Sequence, residues 1–280
     1  MRRAFIALCL LCVLTPLAGL AHAQSLRIGI LPVLDTLPLQ AAVRDGLFEQ
    51  RGLDVELVPF ASALERNTAM AGGQLDGCFT DLVDVLLFLR NKAPLRVVTV
   101  SYRTTPGQPM FGLVTSPGRA GRSIESLQAH AVAISKATII EYVLDSMLRQ
   151  AELPQSYFQR VEIKKIPIRL QMLLTDEAAL SVLPEPLLAL ARFKGGDTLM
   201  TDENLGIPLT VVCLKQGPAM DPEVREPFLA AYAEAVRRIN ERPGDYRGLM
   251  VETCRIPGPL AADFPVYRYP APALPSRVAV

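Results

Sequence analysis

A chain of 280 residues, half of them apolar and a fifth charged, has the composition of a globular protein and excludes a disordered one. Its formal net charge of +1 excludes the basic field that a nucleic-acid partner requires. The chain opens on a removable leader: Arg2 and Arg3 give the positive start, Ala4 to Leu20 the apolar core, and Ala21-His22-Ala23 a small-residue cleavage site. An uncleaved anchor is the alternative, which Pro16 and Gly19 near the end of the core argue against. Residues 1–23 are therefore read as a signal peptide, and the protein as one that folds outside the cytoplasm. The roughly 250 residues that follow are enough for one large domain or two lobes. Cys9 and Cys12 form a Cys-x-x-Cys only within the leader, so that motif is spurious, and Cys78, Cys213 and Cys254 remain. An odd number leaves at least one free thiol, and the three are read as buried apolar residues ahead of any disulfide.

Short strands then alternate with helices. Leu26 to Leu31 reads as a strand, and Asp35 or Thr36 caps a helix with Pro38 in its first turn and Leu39, Val43 and Leu47 on one stripe. Asp54 to Phe60 is the next strand, Ser62-Ala63-Leu64-Glu65 a capping box for a helix ending at Gly72-Gly73, and Asp76 to Phe79 a third strand. A helix starts near Thr80-Asp81, and Leu95 to Val100 completes the pattern of a largely parallel sheet with helices on both faces. After an irregular stretch from Thr104 to Pro109, a second block places strands at Phe111 to Val114, Ala131 to Ile134, Val161 to Ile166 and Leu180 to Leu183. Ser135 precedes a helix carrying Ile140, Leu144 and Leu148, and another helix runs from near Pro186 to Gly195-Gly196. Thr210 to Leu214 is again a strand. It leads into a helix capped by Asp221, with Phe228, Tyr232, Ala235 and Ile239 on its stripe, and the tail from Phe264 to Pro275 is expected to lie extended over the surface. The organisation predicted is lobe 1 at 24–108, lobe 2 at 109–208, and a return to lobe 1 with the C-terminal tail at 209–280. The fold class is α/β, each lobe a mostly parallel sheet flanked by helices, with a ligand cleft between the lobes.

Enzyme signatures are missing from the sequence. There is no Gly-x-Gly-x-x-Gly, no phosphate-binding glycine loop, no His-Glu-x-x-His and no Gly-x-Ser-x-Gly. Once the leader is removed, His130 is the single histidine, too few for a multi-histidine metal site and little for acid–base work. Neither catalytic residues, nor a cofactor, nor a metal are expected. The positive signals are four strand-to-helix turns, Pro32 to Pro38, Phe79 to Leu82, Ser135 to Ile139 and Leu183 to Leu187. Ligands of open α/β sheets collect at such turns, where helix N-termini present unpaired N–H groups. Each turn alone is explained by helix capping, and four facing one another make a cleft.

One resemblance is specific. Ile28-Gly29-Ile30, Pro38 to Ala42 and Asp45-Gly46-Leu47-Phe48-Glu49-Gln50-Arg51-Gly52-Leu53-Asp54-Val55-Glu56-Leu57-Val58 resemble the opening of the nitrate/taurine/thiamine-precursor-like solute-binding proteins of ABC importers. Gly73-Gln74-Leu75-Asp76-Gly77, Leu183-Pro184-Glu185-Pro186 and Pro222 to Asn240 extend it. The resemblance implies the two-lobe type II periplasmic-binding fold and a monomeric receptor that closes by a hinge on a small molecule and delivers it to a membrane permease. Its binding turns fall here on Asp35, Thr36, Thr80, Asp81, Ser135, Lys136, Thr138, Tyr142, Pro184 and Glu185. Tyr267 to Arg277 resembles the closing segment, after which relatives often add a helix, whereas this sequence stops at Val280.

Many relatives bind anions. Here Asp35, Asp81 and Glu185 bring carboxylates to the cleft with Lys136 opposed, so an amine, amidine or ring N–H ligand is expected ahead of an oxyanion. The alternative is that these acids cap helices or pair with Arg44 or Arg169. Two other functions remain beside the receptor: an enzyme on the same fold, of the menaquinone or thiamine-pyrimidine synthesis type, and a periplasmic ligand sensor.

Overall fold

The computed structural model describes residues 24–275 apart from positions 255, 263 and 266; the leader read at residues 1–23 lies outside the described residues. The chain enters through β1 (Gln24–Ile30), whose burial alternates before becoming continuous at its C-terminal end. A single 3-10 turn leads to α1 (Leu37–Arg44), followed by β2 (Leu53–Pro59), α2 (Ala63–Ala71), β3 (Gly77–Asp81), α3 (Leu82–Arg90) and β4 (Leu95–Arg103). The second block is β5 (Phe111–Thr115), β6 (Ala131–Ile134), α4 (Ile139–Gln150), β7 (Gln159–Glu162), α5 (Ile166–Leu174), β8 (Leu180–Pro184), α6 (Leu187–Phe193) and β9 (Thr198–Thr201). The chain then returns through β10 (Pro208–Lys215) to α7 (Pro222–Glu241), α8 (Arg247–Cys254) and α9 (Gly258–Ala261).

Two five-stranded sheets result, in the orders β2-β1-β3-β10-β4 and β7-β6-β8-β5-β9. One strand in each, β10 and β5, runs antiparallel to both its neighbours, so each sheet is mixed, with the remaining strands pointing the same way. The expectation of mostly parallel sheets holds for those strands. The reversal follows from the crossings: a strand that returns from the other lobe enters its sheet from the opposite end. Helices cover both faces. On the first sheet α1 packs with α7, while Ala69, Met70, Val85 and Phe88 of α2 and α3 bury the other face. On the second sheet Leu144 and Leu148 of α4 lie on one side, and Leu170, Leu173 and Leu188 of α5 and α6 on the other.

Several local details differ from the sequence reading. Residues 161–166 are not one strand: β7 ends at Glu162 and Ile166 already opens α5, with Pro167 in the first turn where its missing N–H costs nothing. The tail lies extended but is not merely superficial, because Phe264, Tyr267 and Tyr269 are buried. Tyr267 donates its hydroxyl hydrogen bond to the Pro109 carbonyl. Asp221 stands at the N-cap of α7 without a side-chain bond, while Phe228, Tyr232, Ala235 and Ile239 form the predicted buried stripe. Cys78 and Cys213 are buried free thiols. No helix among the described residues is long and apolar enough to cross a membrane.

Candidate functional site

The C-terminal ends of β1, β3, β6 and β8 turn toward one cleft, lined by residues from both sheets. Each of the four turns singled out in the sequence reaches it, through Asp35, through Thr80 and Asp81, through Ser135 and Thr138, and through Pro184. Apolar walls come from Leu31, Val33, Phe79, Phe111, Ile140 and Ile166. The lobes also touch across the cleft. The Leu34 N–H donates to the Glu185 carbonyl at 3.0 Å, and the Ile166 N–H donates to the Ala61 carbonyl at 3.2 Å. Lys165 and Glu65 form an ion pair at 3.2 Å.

The three predicted carboxylates have three different situations. Asp81 is the N-cap of α3: its Oδ1 accepts from the Asp84 N–H at 2.8 Å, and its Oδ2 accepts from the Ile139 N–H at the start of α4 at 3.4 Å. One carboxylate thus occupies two helix N-termini, one in each lobe. Glu185 is fully buried behind the cleft lining, where it accepts from the Ala189 N–H at 2.9 Å and pairs with Arg192 at 3.0 Å. Asp35 does neither. It is 1% exposed, and neither carboxylate oxygen has a hydrogen-bond partner among the described residues. The Thr210 hydroxyl is also outside bonding geometry, yet it lies close enough that it, with the Asp35 backbone N–H, draws the carboxyl's pKa down against the effect of burial. Burial pushes the Asp35 and Glu185 carboxyls up to about 7, and Asp81 is raised by burial and then by the neighbouring Asp84 charge. A buried polar group without a partner is costly, so Asp35 is the anomaly of the cleft.

The structure does not bring every predicted residue to the lining. Thr36 is turned inward, its hydroxyl donating to the Val33 carbonyl at 2.7 Å and accepting from Gln40 Nε2 at 2.7 Å. Lys136 is exposed, in a turn where Ala137 adopts φ 55° before Thr138 caps α4. Tyr142, 38% exposed, lies a turn further along α4 on an outer groove with Leu86, Leu89 and Leu274. Arg44 pairs with Asp45 at 2.8 Å rather than with a cleft acid.

Two arginines line the cleft, Arg66, which the sequence reading does not single out, and Arg169, which it offers only as a partner for the cleft acids. Arg66 of α2 is 1% exposed; it pairs with Asp84 at 2.5 Å and donates to Thr80 Oγ1 at 2.9 Å. Gly29 of β1 leaves room for its stem, since a Cβ there would lie 3.1 Å from Arg66 Cγ. Arg169 of α5 is fully buried. The signal was present in both cases: Arg66 shares a buried stripe with Ala69 and Met70, and Arg169 one with Ile166, Leu170 and Leu173. A charge on an apolar helical stripe is rarely idle. Arg169 is read from the sequence only as an alternative partner of the cleft acids, because no helix is read after Ile166; in the structure it pairs with none of them.

The profile of the NMT1/THI5-like family matches residues 34–244, a span that includes three of the cleft turns whole and the first from Leu34 onward. The chain belongs to the NMT1/THI5-like family. The resemblance read from the opening run is thereby borne out. No curated protein matches the chain by sequence. Among solved structures, this NMT1/THI5-like chain is similar to the aliphatic sulphonate binding protein SsuA of Escherichia coli, at 19% identity and TM-score 0.71 over 89% of this chain and 80% of that one. The alkanesulfonate-binding SsuA of Xanthomonas axonopodis pv. citri, bound to MOPS, superimposes at 17% identity and TM-score 0.73, covering 89% and 85%. The nitrate-binding protein NrtA of Synechocystis PCC 6803 does so at 14% identity and TM-score 0.69, covering 84% and 68%. At these identities the likeness establishes the two-lobe α/β periplasmic-binding fold.

Proposed function

We propose that the protein is the extracytoplasmic solute-binding receptor of an ABC importer, closing by a hinge on a small polar organic molecule that offers an amine, amidine or ring N–H to Asp35. The leader expected at residues 1–23 supports the compartment, and family and fold support the receptor role and a permease partner. The ligand contacts are assigned to Asp35, Thr80, Asp81, Ser135, Thr138 and Pro184, with Arg66 holding Thr80 in place. The lobes are taken to move about the segments at 104–110 and 202–207, which join the sheets.

The solved neighbours named above are sulfonate- and nitrate-binding proteins by their descriptions. A helix N-terminus is the natural seat for such an anion. Here the α4 N-terminus already receives the Asp81 carboxylate. The single observation carrying the amine reading is Asp35, a buried acceptor with both oxygens unpartnered among the described residues. A cation or N–H donor supplies what it lacks; an oxyanion alone adds repulsion.

Isothermal titration calorimetry against amines, nitrogen heterocycles, sulfonates and nitrate tests the reading. An amine or heterocycle should bind, and Asp35→Asn should weaken it by ~10-fold or more, the loss for one charge-assisted hydrogen bond. Unchanged affinity in Asp35→Asn removes this residue from the site. A wild-type protein that binds only sulfonate or nitrate sinks the amine reading and leaves the receptor role intact.

A further inference from the structure

Cys78 and Cys213 stand directly opposite each other on the antiparallel ladder between β3 and β10. Residues opposed in this way send their side chains to the same face of a sheet, with Cα atoms about 4.5–5.5 Å apart. A disulfide spans about 4.4–6.8 Å between Cα atoms, so this register suits a bond between the two sulfurs. Their shared face is sealed. Both cysteines are 0% exposed, within the cluster that Met70, Val85 and Phe88 of α2 and α3 close over. In the structure the two thiols are free. Burial pushes the Cys78 thiol up to about 11, and Cys213 is raised by burial and then by Cys78 itself. A thiol held protonated and away from water is a poor nucleophile, so the folded chain protects the pair in whichever state it folds.

We propose that Cys78 and Cys213 are a dithiol–disulfide pair that closes as a cross-strand bond while the chain folds in an oxidising compartment. Only the compartment is taken from the receptor reading above. The oxidant is a disulfide that acts by thiol exchange. One cysteine thiolate attacks it, giving a mixed disulfide and releasing one thiol. The other cysteine then attacks the first one's Sγ, forming the Sγ–Sγ bond and releasing the second thiol. Two electrons pass from the cysteines to the oxidant, and the two protons they lose match the two that its thiols take up. The step belongs to folding, before α2 and α3 cover the face; afterwards the same cover shields the bond from reductants. Its place in the chain gives it leverage. Residues 79–212, between the two cysteines, include the whole second sheet, so the bond removes the freedom of a long loop from the unfolded chain. Both cysteines belong to the sheet of lobe 1, so the bond fastens the returning strand to its seat and leaves the lobes free to move. It also joins two strands that reach the cleft, β3 through Thr80 and Asp81 and β10 through Thr210.

The test unfolds the mature protein in guanidinium chloride with dithiothreitol and refolds it with glutathione and glutathione disulfide. Free thiols are then alkylated under denaturing conditions, and the digest is mapped by mass spectrometry without reduction. The expected map holds a peptide pair joining Cys78 to Cys213 and no bond from either of them to Cys254. Oxidised protein should melt ~5–10 °C above the same protein refolded reduced, the scale for a bond that closes so long a loop. That difference should vanish in Cys78→Ala and in Cys213→Ala and persist in Cys254→Ala. Where an alanine variant fails to fold, the maps of the wild type and of Cys254→Ala decide. The same glutathione disulfide added to protein already folded and reduced should leave Cys78 and Cys213 alkylated, and closure there would overturn the assignment of the step to folding. A bond to Cys254, or Cys78 and Cys213 still free after oxidative refolding, overturns the pair. A bond without a rise in melting temperature overturns its role as a fastening. The map needs no ligand and no export, so a protein that carries the bond yet binds nothing sinks the receptor reading alone. One that binds ligand with both thiols free sinks the pair alone.

Discussion

Asp35 shows how a single residue can be arranged against stability. In water its carboxyl ionises near 3.8, whereas burial in the folded chain raises it to about 7, as it raises Glu185 from 4.5 to about 7. Between those values the native state holds a proton that the unfolded chain has released. Stability must then fall as pH rises through this window: it is complete near the unfolded pKa and lost as pH passes the folded one. For Asp35 the full shift corresponds to on the order of 4 kcal/mol, an upper figure because a cleft admits water. Ligand-free protein should therefore melt at higher temperature at pH 5 than at pH 8, and Asp35→Asn, having no proton to lose, should show a shallower decline. A melting temperature that rises over this range would contradict the assigned environment. Asp35 was legible in the sequence because a polar residue follows the first strand at a helix start. Its lack of a partner was not, since Asp81 and Glu185 stand in similar turns and only packing shows that one caps helices and the other meets Arg192.

At the level of elements, most of the fold was legible where periodicity and punctuation agree. Ser62 accepts from the Glu65 N–H at 3.2 Å as the capping box requires, although Glu65 reaches back to the Ala61 N–H rather than to that of Ser62 itself. The reading failed at Val161 to Ile166, where the alternation of Val161, Ile163 and Ile166 with Glu162, Lys164 and Lys165 imitates a strand crossing into a helix. That error concealed α5, and with it the helical stripe that carries Arg169 to the cleft wall. A different helix pair, α2 with α3, is joined beside the cleft by the Arg66–Asp84 ion pair, with both side chains almost wholly buried. Its net contribution relative to apolar packing is small, but breaking it from one side strands a charge. Asp84→Ala should thus destabilise by about 3–5 kcal/mol, measured by urea denaturation, while Asp84→Asn, which keeps an acceptor for Arg66, should lose less. Equal losses in the two variants would show that shape rather than charge holds the helices together.

For the whole molecule the question is what lets two lobes move without coming apart. The crossings at 104–110 and 202–207 run side by side. The Thr104 N–H donates to the Ile207 carbonyl at 2.9 Å, and the Ile207 N–H returns a bond to Thr104 Oγ1 at 2.8 Å. Asp202, fully buried, fastens them to both sheets: Oδ1 accepts from the Met110 and Phe111 N–H groups at 2.9 Å each, and Oδ2 accepts from the Tyr102 hydroxyl at 2.9 Å. Such a node sets which relative lobe positions are cheap, yet it is not among the residues lining the cleft. Asp202→Ala takes the acceptor from the Met110 and Phe111 N–H groups, each costing at most ~1–3 kcal/mol, while the Tyr102 hydroxyl keeps the Gln108 carbonyl, and frees both crossings together. Ligands that require the closed arrangement are bound in proportion to its population, so their apparent affinities should all fall by a common factor. Small-angle scattering should at the same time report a larger radius of gyration for the ligand-free variant than for the wild type. A loss confined to one ligand would place Asp202 in recognition rather than in movement. Unchanged affinities and dimensions would show that the crossings do not govern closure, and the bend would have to be sought in the direct contacts between lobes, at Leu34 with Glu185 and Ile166 with Ala61.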